Sequence, residues 1–131
     1  KPRAKAGIAT CAAQLVTEGM AIFVDTGTST LALAQQLTRF SQLKIITNSL
    51  DIAQLISHQS DNQVLVAPLH TLDFARQFHY DIAFMGIGGI DLDLGLMDYQ
   101  EPEAMLRRTL VRHCARSVVL ADDGKFGHRT F

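Results

Sequence analysis

The stretch Phe23 to Leu33, FVDTGTSTLAL, carries the end of an apolar run (Ala21 to Val24) into six small polar residues and out into a second apolar pattern. A short continuous apolar run reads as a strand buried on both faces. The pattern through TLALAQQL reads as a helix. Five of the six turn residues, Thr26 to Thr30, carry a hydroxyl or no side chain. A bound anion explains that composition, because a helix N-terminus offers free N–H groups and the positive end of its dipole. An ordinary N-cap explains it too, with Ser29 or Thr28 as the capping residue. On this stretch alone both explanations stay open.

The same alternation continues in both directions. Upstream, AGIATCAAQLV has Ile8, Cys11, Ala12, Leu15 and Val16 on one side of a helix, and Gly19 stops it before the strand. Downstream, LKIITNSL is a second strand ending in Thr47, Asn48 and Ser49, followed by a helix DIAQLISH and a strand QVLVA. LHTLDFARQF reads as a helix, DIAFMGIG as a strand, PEAMLRRTLVRHCA as a helix and SVVLADD as a strand. Strands alternating with helices at this rhythm predict an α/β fold, a mostly parallel sheet with flanking helices. At 131 residues we expect one domain over 1–131.

The composition, 47% hydrophobic and 19% charged with net charge -1, is that of an ordinary globular chain without a dominant basic face. DNA binding through this chain is therefore not expected. The two cysteines, Cys11 and Cys114, both lie in helical patterns and read as buried thiols rather than a disulfide framework. No apolar run approaches the roughly 18 residues of a membrane span, and no signal peptide is visible, so a cytoplasmic location without membrane contact is the expectation.

In an open parallel sheet, ligands bind beyond the carboxyl ends of the strands. Four polar or glycine-rich loops fall at that edge: DTGTST, TNS, GIGGID and ADDGKFG. DTGTST lacks the Gly-Lys-Ser/Thr of a Walker loop and the spacing of a dinucleotide loop. Lys125 stands between Gly124 and Gly127, as a point charge for a phosphate or as a solvated turn residue. Asp122 and Asp123 could fix that lysine, cap a turn or bind sugar hydroxyls. Asp81 opens its strand and belongs at the opposite rim. The five histidines are dispersed, with no H-E-x-x-H pattern, and neither a catalytic set nor a metal site nor a cofactor is expected.

Taken in order, VDTGTSTLALAQQL, IITNSLDIA, DIAFMGIGGID, EAMLRRTLV and VVLADDGKFG resemble the effector-binding domain of DeoR-family bacterial transcriptional regulators. The resemblance covers nearly the whole chain. It implies a fold similar to ribose-5-phosphate isomerase, glucosamine-6-phosphate deaminase and the CoA transferases. It also implies a sensor, in most cases within a repressor, for a phosphorylated sugar or related metabolite. DNA would be bound by an attached helix-turn-helix domain, in a homo-oligomer. The phosphate loop would be Asp25, Thr26, Gly27, Thr28, Ser29 and Thr30, and the second loop Thr47, Asn48 and Ser49. Gly86, Gly88 and Gly89 would form the glycine-rich wall, with Asp122 and Lys125 after the last strand. Glu103 would face the sugar, and Gly88, Asp91 or Glu103 would read its hydroxyls.

The start on KPRAKAGIA and the stop at KFGHRTF lead us to expect a preceding DNA-binding domain and a following strand outside the chain. Ala67 runs directly into Pro68, where the family carries a further segment, and we expect that segment to be omitted from the sequence. Two other functions fit the fold. One is a sugar-phosphate isomerase or deaminase, and the other is a dimerisation module without a ligand.

Overall fold

The computed structural model describes residues 2–67, 79–86, 112–120 and 128–130. Helix α1 (Pro2–Ala13) precedes β1 (Ala21–Val24), α2 (Thr28–Leu37), β2 (Lys44–Thr47), α3 (Leu50–Gln59) and β3 (Gln63–Val66). Strands β4 (Tyr80–Gly86), β5 (Cys114–Leu120) and β6 (His128–Thr130) complete the described elements. They form one six-stranded sheet in the order β3-β2-β1-β4-β5-β6. The first five strands run parallel and β6 is antiparallel to β5. The expected mostly parallel α/β architecture is present. The helices read over LHTLDFARQF and most of PEAMLRRTLVRHCA lie outside the described residues, as does the Ala67–Pro68 junction.

β1 explains why continuous apolar runs became central strands. Ile22 and Val24 face the core built with α1, α2 and α3, beside Leu33, Leu37, Ile45, Ile56 and Phe84. Phe23, on the alternate face, is also buried and meets the ring of Tyr80 edge-on at 6.2 Å. Burial pushes the Tyr80 hydroxyl up to about 12. A strand with no solvent face needs no alternation.

Long-range polar ties fasten the rim where the parallel strands begin. The Asp81 carboxylate accepts the Ala21 N–H at 2.8 Å, which places it at the rim expected for it. Buried Asn62 accepts the Leu43 N–H at 3.0 Å and donates to the Leu37 carbonyl at 3.1 Å, joining the end of α2 to the start of β2. An open cavity of about 490 Å³ at this rim is lined by Ser41, Gln42, Leu43, Lys44, Asp61 and Gln63, well away from the loops singled out in the sequence.

Four local expectations are corrected. Among the described side chains of α1 the buried ones are Ala9, Ala12 and Ala13, continued by Val16, with Ile8 and Leu15 partly buried and packed against the same core. Methyl side chains let α1 lie close against α2, so the close contact selects the alanine stripe over the larger residues. Cys11 is therefore exposed rather than buried. The helix read through Ala115 ends early, because Cys114 already pairs with Tyr80 in β5. Tertiary pairing overrides local helical pattern there. Finally, a strand does follow KFG within the chain: Thr130 pairs with Val118 and His128 with Leu120.

Cys114 is half-buried, and burial pushes its thiol up. The two thiols should therefore react unequally with a disulfide reagent at pH 8, Cys11 fast and Cys114 at least ~10-fold slower. Equal rates, followed with a Cys11→Ser variant, would contradict this exposure pattern.

Candidate functional site

The strand order reverses beside β1: the chain builds outward to β2 and β3, then returns to place β4 on the other side. Such a switch point opens a crevice beyond the carboxyl ends of the two neighbours. Here the switch point lies between Asp25, after β1, and Gly86, which ends β4. The Asp25 N–H donates to the Phe84 carbonyl at 2.9 Å, so β1 and β4 stay paired up to the crevice. At Gly86 an added Cβ would sit 3.8 Å from the Thr26 carbonyl, ordinary contact, so the ends of the two strands are close neighbours.

The turn after β1 is organised around a buried carboxylate. Asp25 is fully buried. Its Oδ1 accepts the Thr26 N–H at 2.9 Å and the Asn48 Nδ2–H at 2.8 Å. A carboxylate only accepts, so Asp25 organises the turn and cannot itself donate to a phosphate. Thr26, Gly27 and Thr28 are exposed, whereas Ser29 and Thr30 are buried.

Helix α2 begins without the cap expected from Ser29 or Thr28. Gly27 is the N-cap residue, at φ 151° and ψ 168°, and no side chain caps the helix. Thr30 turns its hydroxyl inward and donates to the Gly27 carbonyl at 3.1 Å, while the Leu31 N–H closes the first helical turn on the same carbonyl. Among the described residues nothing accepts from the N–H groups of Thr28, Ser29 and Thr30. Three adjacent donors and the positive helix end therefore face the rim together.

Glycine is required at position 27. Its backbone lies where L-residues rarely go, and an added Cβ would sit 3.1 Å from Thr30 Oγ1. Gly27→Ala should cost about 1–3 kcal/mol of stability and weaken anion binding. Urea unfolding and a phosphate titration check both effects, and an unchanged midpoint would contradict this strain argument.

The second loop divides its work differently from what its composition suggests. Thr47 is fully buried and its hydroxyl accepts the Ser49 N–H at 3.1 Å. Ser49 caps α3, accepting the Ile52 N–H at 3.2 Å. These two hydroxyls are engaged with their own backbone, and only Asn48 reaches across to the first loop. Its amide oxygen Oδ1 is buried, and among the described residues no donor meets it. An unpaired buried acceptor of this kind costs about 1–3 kcal/mol.

Of the sixteen candidate residues, Asp25 to Thr30, Thr47 to Ser49 and Gly86 are thus gathered around the ends of β1, β2 and β4. Gly88, Gly89, Asp91, Glu103, Asp122 and Lys125 lie outside the described residues. Among the described residues no three metal-ligating side chains cluster, and no helix is long and apolar enough to cross a membrane. The sequence reading missed Asn62. Its signal was weak, a single asparagine before a strand, and only its partners on two other elements give it importance.

Similar proteins agree with this architecture. Ribose 5-phosphate isomerase A from Methanocaldococcus jannaschii superposes with a TM-score of 0.66 at 21% identity, over 95% of this chain and 54% of that one. A D-ribose-5-phosphate isomerase in complex with phospho-erythronic acid gives 0.64 at 18% identity, over 91% and 51%. At these identities the likeness is one of fold. The glycerol-3-phosphate regulon repressor of Escherichia coli (strain K12) is 30% identical over 94% of this chain and 54% of its own length. The HTH-type transcriptional regulator GlpR of Haloferax volcanii is 29% identical over 97% and 54%. A putative aga operon transcriptional repressor of Escherichia coli O157:H7 is 27% identical over 93% and 50%. The chain spans about half the length of these curated relatives. A family model described as the DeoR C terminal sensor domain matches residues 1–131, and the chain belongs to that family.

Proposed function

We propose that this chain is the effector-sensing part of a transcriptional repressor, and that its effector is a phosphorylated sugar or related metabolite. The observation that carries the proposal is the first turn of α2. Three N–H donors without a cap stand at the switch-point crevice, behind a glycine whose conformation keeps side-chain bulk away. A phosphate there accepts charge-assisted hydrogen bonds at a helix end. Lys125 is proposed to oppose its charge, and Gly88, Asp91 or Glu103 to read sugar hydroxyls. Relatives named as repressors, one of them of a glycerol-3-phosphate regulon, support the regulatory reading.

In this proposal the chain catalyses nothing. An isomerase or deaminase needs a base held against a substrate carbon, and among the described residues the buried rim carboxylate, Asp25, holds Thr26 and Asn48 instead. DNA is bound by an attached domain, and the effector alters that binding only by its differential affinity for the two arrangements. The regulator acts as a homo-oligomer.

A thermal-shift screen in phosphate- and sulfate-free buffer tests the reading. A ligand at ten times its Kd stabilises by about 1.4 kcal/mol, a shift of several degrees. A shift with a phosphorylated sugar and none with the parent sugar is the expected result. No shift with any phosphorylated compound would overturn it.

A further inference from the structure

We propose that Asn48 reads a hydroxyl of the effector, dividing the rim into an anion end on the first turn of α2 and a polyol end beside Asn48. The inference rests on the phosphorylated-sugar reading above and adds to it which residue distinguishes a polyol phosphate from a bare one.

The argument begins with the orientation of the Asn48 amide. Its neighbour at 2.8 Å is the Asp25 carboxylate oxygen, which can only accept, so the nitrogen must be the atom facing it. The amide oxygen is thereby left at the other end, buried and without a donor among the described residues. Buried amide oxygens are nearly always paired, and an exception is a place for a partner beyond the described residues, a role that a ligand O–H can fill. The neighbouring hydroxyls of Thr47 and Ser49 bond to the backbone of their own loop.

The chemistry of the missing partner follows. Oδ1 is an acceptor, and Asp25 beside it carries another set of acceptors, so an anionic phosphate oxygen is unfavourable there. A ligand O–H is favourable. The opposite holds at α2, where the N–H groups of Thr28, Ser29 and Thr30 offer donors only. Asp25 Oδ1 bridges the two regions, since the same oxygen accepts from Thr26 N–H at the start of the phosphate loop and from Asn48. The anion end and the hydroxyl end are therefore one carboxylate apart, which suits a short phosphorylated polyol or a sugar phosphate. A ligand with only one of the two features uses half of the rim.

Calorimetric titration of the native protein and of Asn48→Ala separates this inference from its parent. The probes are inorganic phosphate, n-propyl phosphate, glycerol 3-phosphate, ribose 5-phosphate and 2-deoxyribose 5-phosphate. n-Propyl phosphate is glycerol 3-phosphate without its hydroxyls. The native protein should bind a hydroxylated probe about tenfold tighter than its deoxy counterpart, and Asn48→Ala should erase that preference while holding n-propyl phosphate within about twofold. A uniform loss across all phosphates in Asn48→Ala would assign Asn48 to the architecture of the loop and overturn the inference while sparing the phosphate site. Equal affinity of the native protein for hydroxylated and deoxy probes overturns it without any variant, which covers the case of Asn48→Ala failing to fold. Native protein that binds none of the probes overturns the phosphate reading itself.

Discussion

Replacing Asp25 with alanine should lower stability by about 2–4 kcal/mol and abolish the response to phosphorylated ligands. Asp25 is fully buried, and its Oδ1 holds two donors, the Thr26 N–H and the Asn48 amide. Alanine leaves both without their acceptor, and a buried donor without a partner bears its whole desolvation cost. The functional loss has the same cause, because the turn that presents α2 and the amide of the second loop are both positioned by this carboxylate. Asp25→Asn keeps one oxygen that can accept from both donors, so it should cost less than alanine and retain part of the ligand response. Urea unfolding midpoints with a parallel ligand titration check both variants. An alanine variant of native stability would mean that the carboxylate organises nothing.

Phe84→Ala should be the most destabilising single change among the described residues, at about 3–5 kcal/mol. Phe84 lies in β4 with no exposure, paired between Val24 of β1 and Val118 of β5, and faces the core formed with the three helices. Removing its ring leaves a cavity under α2 that close-packed neighbours fill only in part. The expected fall in Tm is roughly 10–20 °C. Leu65→Ala is the matched control, since Leu65 on the edge strand β3 is 51% exposed and should change stability by less than about 0.5 kcal/mol. Comparable losses at the two positions would mean that the β3 edge is covered in solution.

Residues near one another in sequence announced most of the fold. Apolar runs of strand length, glycine and hydroxyl clusters at their ends, and helical patterns between them are local signals. They suffice to order β1, α2, β2, α3 and β3, and the parallel arrangement then brings DTGTST and TNS to one rim. The same reasoning failed where a local signal competed with a distant partner. RHCA reads as the end of a helix, yet Cys114 pairs with Tyr80, 34 positions earlier, and sheet hydrogen bonds prevail over propensity. Cys11 sits at helical spacing with buried neighbours, yet it is exposed, and the inner face of α1 is carried by Ala9, Ala12 and Ala13 with Ile8 packed beside them.

The candidate site divides along the same line. That small hydroxylated residues stand where strands become helices was determined by the sequence alone. Which of them bond to their own backbone was decided by the fold. Thr30 and Ser49 serve their helices, Gly27 instead of a serine or threonine begins α2, and Asn48 reaches Asp25 across 23 positions. A hydrogen bond between loops that distant depends on the register of β1 beside β2, and no pattern within either loop carries that register.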